Sequence, residues 1–301
     1  MLTIVQTALE AGFLYAPVAM ALFLSFSILN IADMTTDGAF VLGSAVSAMM
    51  CLSGHPILAL PAGMAAAALA GFITAFLQTK LAVPSILAGI VTNIGLYSIN
   101  LMVMGKSNQS LFQTDSIYTM AREAGFAGSW YRLAVTALIV LVLCALLVLF
   151  LGTRLGLSIR ATGDNADMVR ASSINPNFTI TVGLCVANAM TGLSGAMVAQ
   201  YSTYADVNNG TGMVVLALAA LVIGETLIGK GSMVRRVLGV VAGSIIYRFI
   251  YAAALRFNVP ADYMKLVSAI IVGVAIAAPA VKRWAAFQIQ KRRALAGRGN
   301  K

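Results

Sequence analysis

A chain of 301 residues with ten acids and one histidine offers few places for chemistry. One is Asp33-Met-Thr35-Thr36-Asp37-Gly38, where two carboxylates and two hydroxyls within five residues could receive the ammonium of a solute. A second, Gly224-Glu225-Thr226-Leu-Ile-Gly229-Lys230-Gly231-Ser232, nearly spells a phosphate-cradling loop, which needs G-x-x-x-x-G-K followed by Ser or Thr. Glycine stands at 231 in place of the magnesium-binding hydroxyl, and the segment joins two apolar runs instead of a strand and a helix. Nucleotide binding is therefore rejected; the glycines shape a tight turn, and Glu225 is expected to pair with Lys230 near the cytoplasmic end of a path. Gly192-Leu-Ser194-Gly195 has the G-x-S-G pattern of an intramembrane serine nucleophile, which needs a base within hydrogen-bond reach. The one histidine, His55, falls in an outer loop, so the small residues are expected to let helices pack closely, as are Gly239 and Gly243.

The most informative stretch is Arg160-Ala-Thr-Gly163-Asp164-Asn-Ala-Asp167-Met168-Val-Arg170-Ala-Ser-Ser-Ile-Asn175-Pro176. Asp164 is expected to cap a short helix with Asp167 at its third position, and Asn175-Pro176 to end it, because a residue before proline avoids the α region. Met168 and Val169 then offer an apolar contact flanked by Arg160 and Arg170. Spacing leaves two readings open: a helix that docks in a cytoplasmic ATPase, or an amphipathic helix lying at headgroup level.

The elements that must position these groups are membrane helices. Apolar residues make up 60% of the chain and charged ones 10%, against about 25% charged in a soluble domain. About nine apolar runs, at 3–30, 38–52, 56–79, 84–104, 131–151, 175–200, 211–228, 236–255 and 263–281, mostly approach the roughly 20 residues that cross a bilayer. In lipid only helices satisfy such backbones internally. The expected fold is all-α, with about eight to ten transmembrane helices in one domain over 1–281 and a basic tail over 282–301. Cys51, Cys144 and Cys185 lie inside runs at spacings of no metal or redox motif and read as packing residues. No cleavable signal is expected, because the first run lacks a basic flank and leads into Asn30, Asp33 and Asp37.

The net charge of +10 reads as topology, not as a nucleic-acid surface, because many basic residues sit in short loops. Cytoplasmic loops collect Lys and Arg, so the C-terminal tail and the loops around 80–83, 152–174 and 229–236 are assigned to the cytoplasm. They hold 14 of the 20 basic residues. The loop 105–130 is then extracytoplasmic, and its polar and aromatic mixture suits a short surface helix. The run 38–52 is short enough to be re-entrant or broken, which leaves the side of the N-terminus open.

An Asp at the centre of a membrane helix costs about 2.5–3.5 kcal/mol, so Asp33 and Asp37 should face a cavity, the protein interior or the interface. A broken helix there would mark a translocation path, whereas a loop at headgroup level would use the same acids as caps. Asn93, Asn188 and Thr191 read either as interhelical hydrogen-bonding groups or as path lining. Arg248 is expected to snorkel to the outer interface.

The stretch GLSIRATGDNADMVRASSINPN, followed by a run with Asn188, Gly192 and Gly195, resembles the cytoplasmic signature of ABC permeases of the branched-chain amino acid and ribose type. Ile31-Ala-Asp33-Met-Thr-Thr-Asp37-Gly38 and Lys80 through Gly105 are similar to tryptophan/tyrosine-type permeases of that superfamily. The resemblance spans about residues 10 to 280. It implies a type II importer fold, a second permease copy, two cytoplasmic ATPase subunits that carry ATP and magnesium, and an extracytoplasmic solute-binding protein. It also favours the coupling reading of 164–173 and tilts Asp33, Thr35, Thr36 and Asp37 toward the path, with Asn93, Asn188, Thr191 and Glu225 as further lining. The expected protein is a non-catalytic, multi-pass permease of a bacterial inner membrane, importing a small solute, by the resemblance an amino acid of aromatic or branched-chain type. The rival is a stand-alone secondary transporter or channel.

Overall fold

The computed structural model describes residues 2–126, 128–229 and 231–256, with isolated helical positions at 266, 269, 270, 273, 274 and 277. The tail 282–301 and most of the expected run 263–281, Lys265 included, lie outside the described residues, as does Lys230. The helices are α1 (Leu2–Leu22, continued by a π-helical stretch Phe23–Ile28), α2 (Thr36–Leu52), α3 (Pro56–Thr79), α4 (Ser85–Met104), α5 (Ile117–Glu123), α6 (Tyr131–Gly152), α7 (Arg154–Asp164), α8 (Ala166–Ala171), α9 (Pro176–Ser202), α10 (Met213–Ile228) and α11 (Met233–Arg256). Among the described residues seven helical segments are long and apolar enough to cross a membrane, and α2 is a shorter apolar helix. The expected runs coincide with these helices because continuous apolarity leaves the backbone no other way to satisfy itself in lipid.

The most enclosed helix is α9, whose buried face runs from Pro176 to Gln200. It can lie so deep because glycine lets backbones touch. A Cβ on Gly43 of α2 would run into the Gly192 backbone, one on Gly195 into the Phe40 carbonyl, and one on Gly192 into Ala67 of α3. Ser194 is used in packing too, donating from Oγ to the Leu14 carbonyl of α1 at 2.6 Å. The second close seam joins α10 and α11, where Gly243 abuts the Ala220 carbonyl and Gly224 the Gly239 carbonyl. Lost dispersion and backbone contact, more than any hydrophobic difference, is what a larger residue costs at such seams.

Contacts assign the loops to two ends. At one end Asn177 Nδ2 donates to the Thr79 carbonyl at 3.3 Å, and Gly163 packs on the Ile28 carbonyl, so the 80–84 and 153–175 loops lie together. At the other, β1 (Asn108–Ser110) and β2 (Tyr204–Asp206) form a two-stranded antiparallel ribbon. Gln200 ties this end together by donating to Ser47 Oγ and the Pro56 carbonyl and accepting from Ile117 N. The grouping of 80–83 with 152–174, opposite 105–130, agrees with that inferred from charge, while the basic tail lies outside the described residues. Glu10 of α1 accepts from Tyr201 Oη at 2.6 Å, which places the start of α1 at the ribbon end. The short helix expected within 105–130 is α5, begun by a Ser116–Thr119 capping box. The ribbon itself had no sequence signal.

Candidate functional site

The segment 29–35 between α1 and α2 does not sit at an end of the bundle. Asp33 faces Asn188, near the middle of α9, and Gly38 faces Asn93 and Asn100 of α4. Helix α2 therefore starts inside the bundle, which agrees with the broken-segment reading of the run 38–52. Helix α10 starts at the same depth: Gly212 N and Val214 N donate to Asp37 Oδ2 and Oδ1, both at 3.0 Å. A carboxylate on the second helix thus caps the tenth, satisfying backbone donors that have no partner in their own helix and meeting the positive end of its dipole. Asp37 is thus a helix cap, as the capping reading expected, though its helix is α10 and not a near neighbour in the chain.

Asp33 is 3% exposed. Its Oδ1 accepts from Thr35 N at 2.9 Å and its Oδ2 from Asn188 Nδ2 at 2.7 Å, while its carbonyl accepts from Thr36 Oγ1. Thr35 Oγ1 lies 2.7 Å from Thr74 Oγ1 of α3. The group pins the linker to α3 and α9. Thr191, by contrast, returns its hydroxyl to the Ala187 carbonyl one turn back and is buried in the helix seam.

Beside Asp37 opens a cleft of about 440 Å³, lined among others by Asn93, Tyr97, Ser98, Asn100 and Gly210. Asn93 and Asp37 thus meet there, while Asp33, Thr35, Thr36, Asn188 and Thr191 stand outside its lining. Of its wall, Tyr97, Ser98 and the 207–211 turn escape sequence reasoning. The turn comes from a part of the chain about 170 residues away, and Tyr97 and Ser98 share an apolar helix with no local polar pattern.

Glu225 lies outside this cleft. Its Oε1 accepts from Ser27 Oγ at 2.7 Å and from Arg236 at 3.1 Å, forming a half-buried ion pair between α10, α11 and the π-helical stretch. The partner within the described residues is Arg236, one helix turn into α11; Lys230, the expected partner, lies outside the described residues. Gly229, at φ +77°, closes α10 as the tight-turn reading required. Arg248 does not extend freely outward: its guanidinium lies 3.7 Å over the Tyr15 ring of α1, where a cation meets the negative face of the ring.

In the 152–174 loop the structure corrects two assignments. Asp164 is the last residue of α7, and the cap of α8 is Asn165, whose Oδ1 accepts from Asp167 N and Met168 N at 3.1 and 3.0 Å. The chain from 154 to 164 is itself a helix, begun by Thr153. Asn175 and Pro176 do not end α8 but begin α9, as its cap and first residue; α8 has already stopped at Ala171, with Ser173 left-handed at φ +61°. Local polar sequence could not say which of Asp164 and Asn165 faces the free N–H groups, since both are good caps. The short helix buries Val169 against the bundle and presents Met168, 64% exposed, outward. Asp167 and Arg170 flank it as an exposed pair at 3.6 Å. Gly163 abuts the Ile28 carbonyl, and Thr162 Oγ1 lies 2.7 Å from Thr179 Oγ1 of α9, so α7 is tied to the membrane helices; Arg160 is half-buried on the same helix.

Membrane-length helices packed around two helix starts, with a cleft of about 440 Å³ beside them, form a multi-pass membrane protein. Residues 4–276 match the family described as branched-chain amino acid transport system / permease component, and the chain belongs to that family. It is a transporter component and not a catalytic protein. The chain is 32% identical over 255 residues to a tyrosine transport system permease protein of Clostridioides difficile, covering 84% of each. It is 27% identical over 288 residues to the uncharacterized protein RP368 of Rickettsia prowazekii, covering 94% of this chain and 99% of that one. The ribose import permease RbsC of Escherichia coli strain K12 is 30% identical over 126 residues, 41% of this chain and 38% of RbsC. No solved structure matches.

Proposed function

We propose that this chain is the membrane-spanning subunit of an ATP-driven importer for a small solute, an amino acid of aromatic or branched-chain type. The observation that carries the reading is the cleft at the shared starts of α2 and α10, lined by Asp37, which caps α10. Helix starts at membrane depth offer a passing solute oriented backbone groups that a continuous helix would keep to itself. The similarity to a tyrosine permease supports the substrate class.

The chain works as a pair with a second copy in a bacterial plasma membrane, with its C-terminus in the cytoplasm. Two ATPase subunits, which hold ATP and magnesium, dock on α8 through Met168, with Arg160, Gly163, Asp164, Asp167 and Arg170 around the contact and Asn175-Pro176 carrying motion into α9. A solute-binding protein delivers from the ribbon end. Closure of the ATPases moves α7 and α8 against the bundle and switches access to the cleft.

Vesicles containing the chain, its ATPase and its binding protein should accumulate labelled tyrosine or leucine only when ATP is supplied to the ATPase. The chain alone should accumulate neither. One observation favours the rival: Asp33 is a buried carboxylate held by neutral donors, the kind of group an ion-coupled carrier uses. Uptake by the chain alone under an imposed proton or sodium gradient would replace the importer reading.

A further inference from the structure

The cleft beside Asp37 is chemically one-sided. Asp37 is the charged residue in its lining, and no Lys or Arg lines it among the described residues. Its carboxylate accepts one N–H on each oxygen, whereas a carboxylate offers about four acceptor sites, so acceptor capacity remains. Asn100 adds more. Its Nδ2 donates to the Gly38 carbonyl at 3.2 Å, which fixes the direction of the amide and leaves Oδ1 buried with no partner. An orphaned acceptor in a residue 1% exposed is costly unless a donor arrives. Between these groups Tyr97, 51% exposed, offers an aromatic face.

A carboxylate or phosphate entering this cleft would meet a like charge and an unpaired amide oxygen. A neutral polyol could donate hydrogen bonds but would bring no opposite charge to Asp37, whose only compensation among the described residues is then the α10 terminus. An alkylammonium meets every feature: charge for Asp37, N–H donors for Asn100, and an attraction to the Tyr97 ring. The volume of about 440 Å³ lies in the range of small-molecule sites, roughly 300–1,000 Å³.

We propose that this cleft is an ammonium-recognition site, in which Asp37 and Asn100 take the amine of the solute and Tyr97 lies against its side chain. The inference rests on the importer reading for its biological role, and it makes the amine, not the carboxylate, the group selected inside the membrane. Solutes that lack an amine are refused there even when they match in size and aromaticity.

The test needs the chain alone. In a background with Cys51, Cys144 and Cys185 replaced by Ala, Ser98→Cys places a thiol in the cleft wall, and Ser110→Cys serves as an exposed reference in β1. Modification rates are measured with cationic aminoethyl and anionic sulfonatoethyl methanethiosulfonate. The cation-to-anion rate ratio should be at least about tenfold higher at position 98 than at 110, the lower end of electrostatic focusing in a cleft. Tyramine should slow modification at 98, and 3-(4-hydroxyphenyl)propionate, its size-matched deaminated acid, should not. Asp37→Asn should bring the ratio down to the reference value. Asn100→Leu, which leaves the cap of α10 intact, should preserve the ratio and weaken tyramine protection about tenfold, and it decides the matter if the Asp37 variant proves unstable. Equal ratios at 98 and 110, or protection by the acid and not the amine, overturns the proposal. ATP-driven uptake by the assembled importer is a separate measurement. Its failure beside an intact charge preference would sink the importer reading and leave the site standing, and the converse would do the opposite.

Discussion

Replacing Asn188 by Leu tests what holds the linker 29–35 inside the bundle. The Asn188 amide donates to Asp33 Oδ2 at 2.7 Å, and both residues are almost fully buried, at 1% and 3% exposed. Leu has as many side-chain heavy atoms as Asn but a larger volume, and Gly71 of α3 packs directly on the side chain, where a Cβ would come within 2.9 Å of Nδ2, so no water-sized gap replaces the lost amide and the single variant also carries a packing cost that the double-mutant cycle separates. A neutral hydrogen bond between membrane helices is worth about 0.6 kcal/mol on average, whereas a hydrogen bond to a charged group is worth about 1.5–3 kcal/mol. Breaking a fully buried ion pair costs about 3–5 kcal/mol. Asp33 keeps its Thr35 N–H and Asn188 carries no charge, so Asn188→Leu should cost about 2–3 kcal/mol. The measurement is reversible unfolding in mixed micelles, run as a double-mutant cycle with Asp33→Leu. Because the double variant leaves neither end of the Asn188–Asp33 bond unsatisfied, while Thr35 N–H loses its acceptor equally in Asp33→Leu and in the double variant, the double variant should be more stable than the sum of the singles by about 2 kcal/mol. Additive singles, or an Asn188→Leu cost below about 0.5 kcal/mol, would refute the claim that this bond anchors the linker.

The glycine seams give a sharp contrast. Gly195→Leu, driven against the Phe40 carbonyl, should abolish folded protein in detergent by size-exclusion profile, while Gly95→Ala, with nothing within 4 Å, should raise stability by up to about 1 kcal/mol through helix propensity. Met168→Glu should leave the melting temperature unchanged, because that side chain is exposed here, and should remove ATP-driven uptake in the assembled importer if the proposed docking of an ATPase on it is right. Asn165→Ala should cost about 1 kcal/mol of local helix stability, visible as faster amide exchange over 166–171, whereas Asp164→Ala should not change exchange there.

The sequence carried the helices well and the site poorly, for one reason. A membrane helix is specified by a contiguous property, apolarity over some 20 residues, and the runs at 56–79, 84–104, 131–151 and 175–200 matched α3, α4, α6 and α9 to within two residues. The packing role of Gly192 and Gly195 was equally local, since small residues invite close approach whatever the partner. The cap of α8 was misplaced by one residue because Asp164 and Asn165 have the same local competence. The contacts of Glu225 with Ser27 and Arg236 had no sequence signal, because the fold brings Ser27 from almost 200 residues away.

From its order of residues alone, this protein had to be a bundle of membrane helices with an acidic break before the second and a polar cytoplasmic-type loop after α6. Lipid imposes that much, because it allows an unpaired backbone nowhere else. Tertiary structure decided that Asp37 caps a helix 175 residues later, that Asp33 is held by Asn188, and that Tyr97, Ser98 and Asn100 share a cleft with it. Those outcomes depend on which glycine meets which carbonyl across a seam, a matching of distant surfaces that no local pattern encodes.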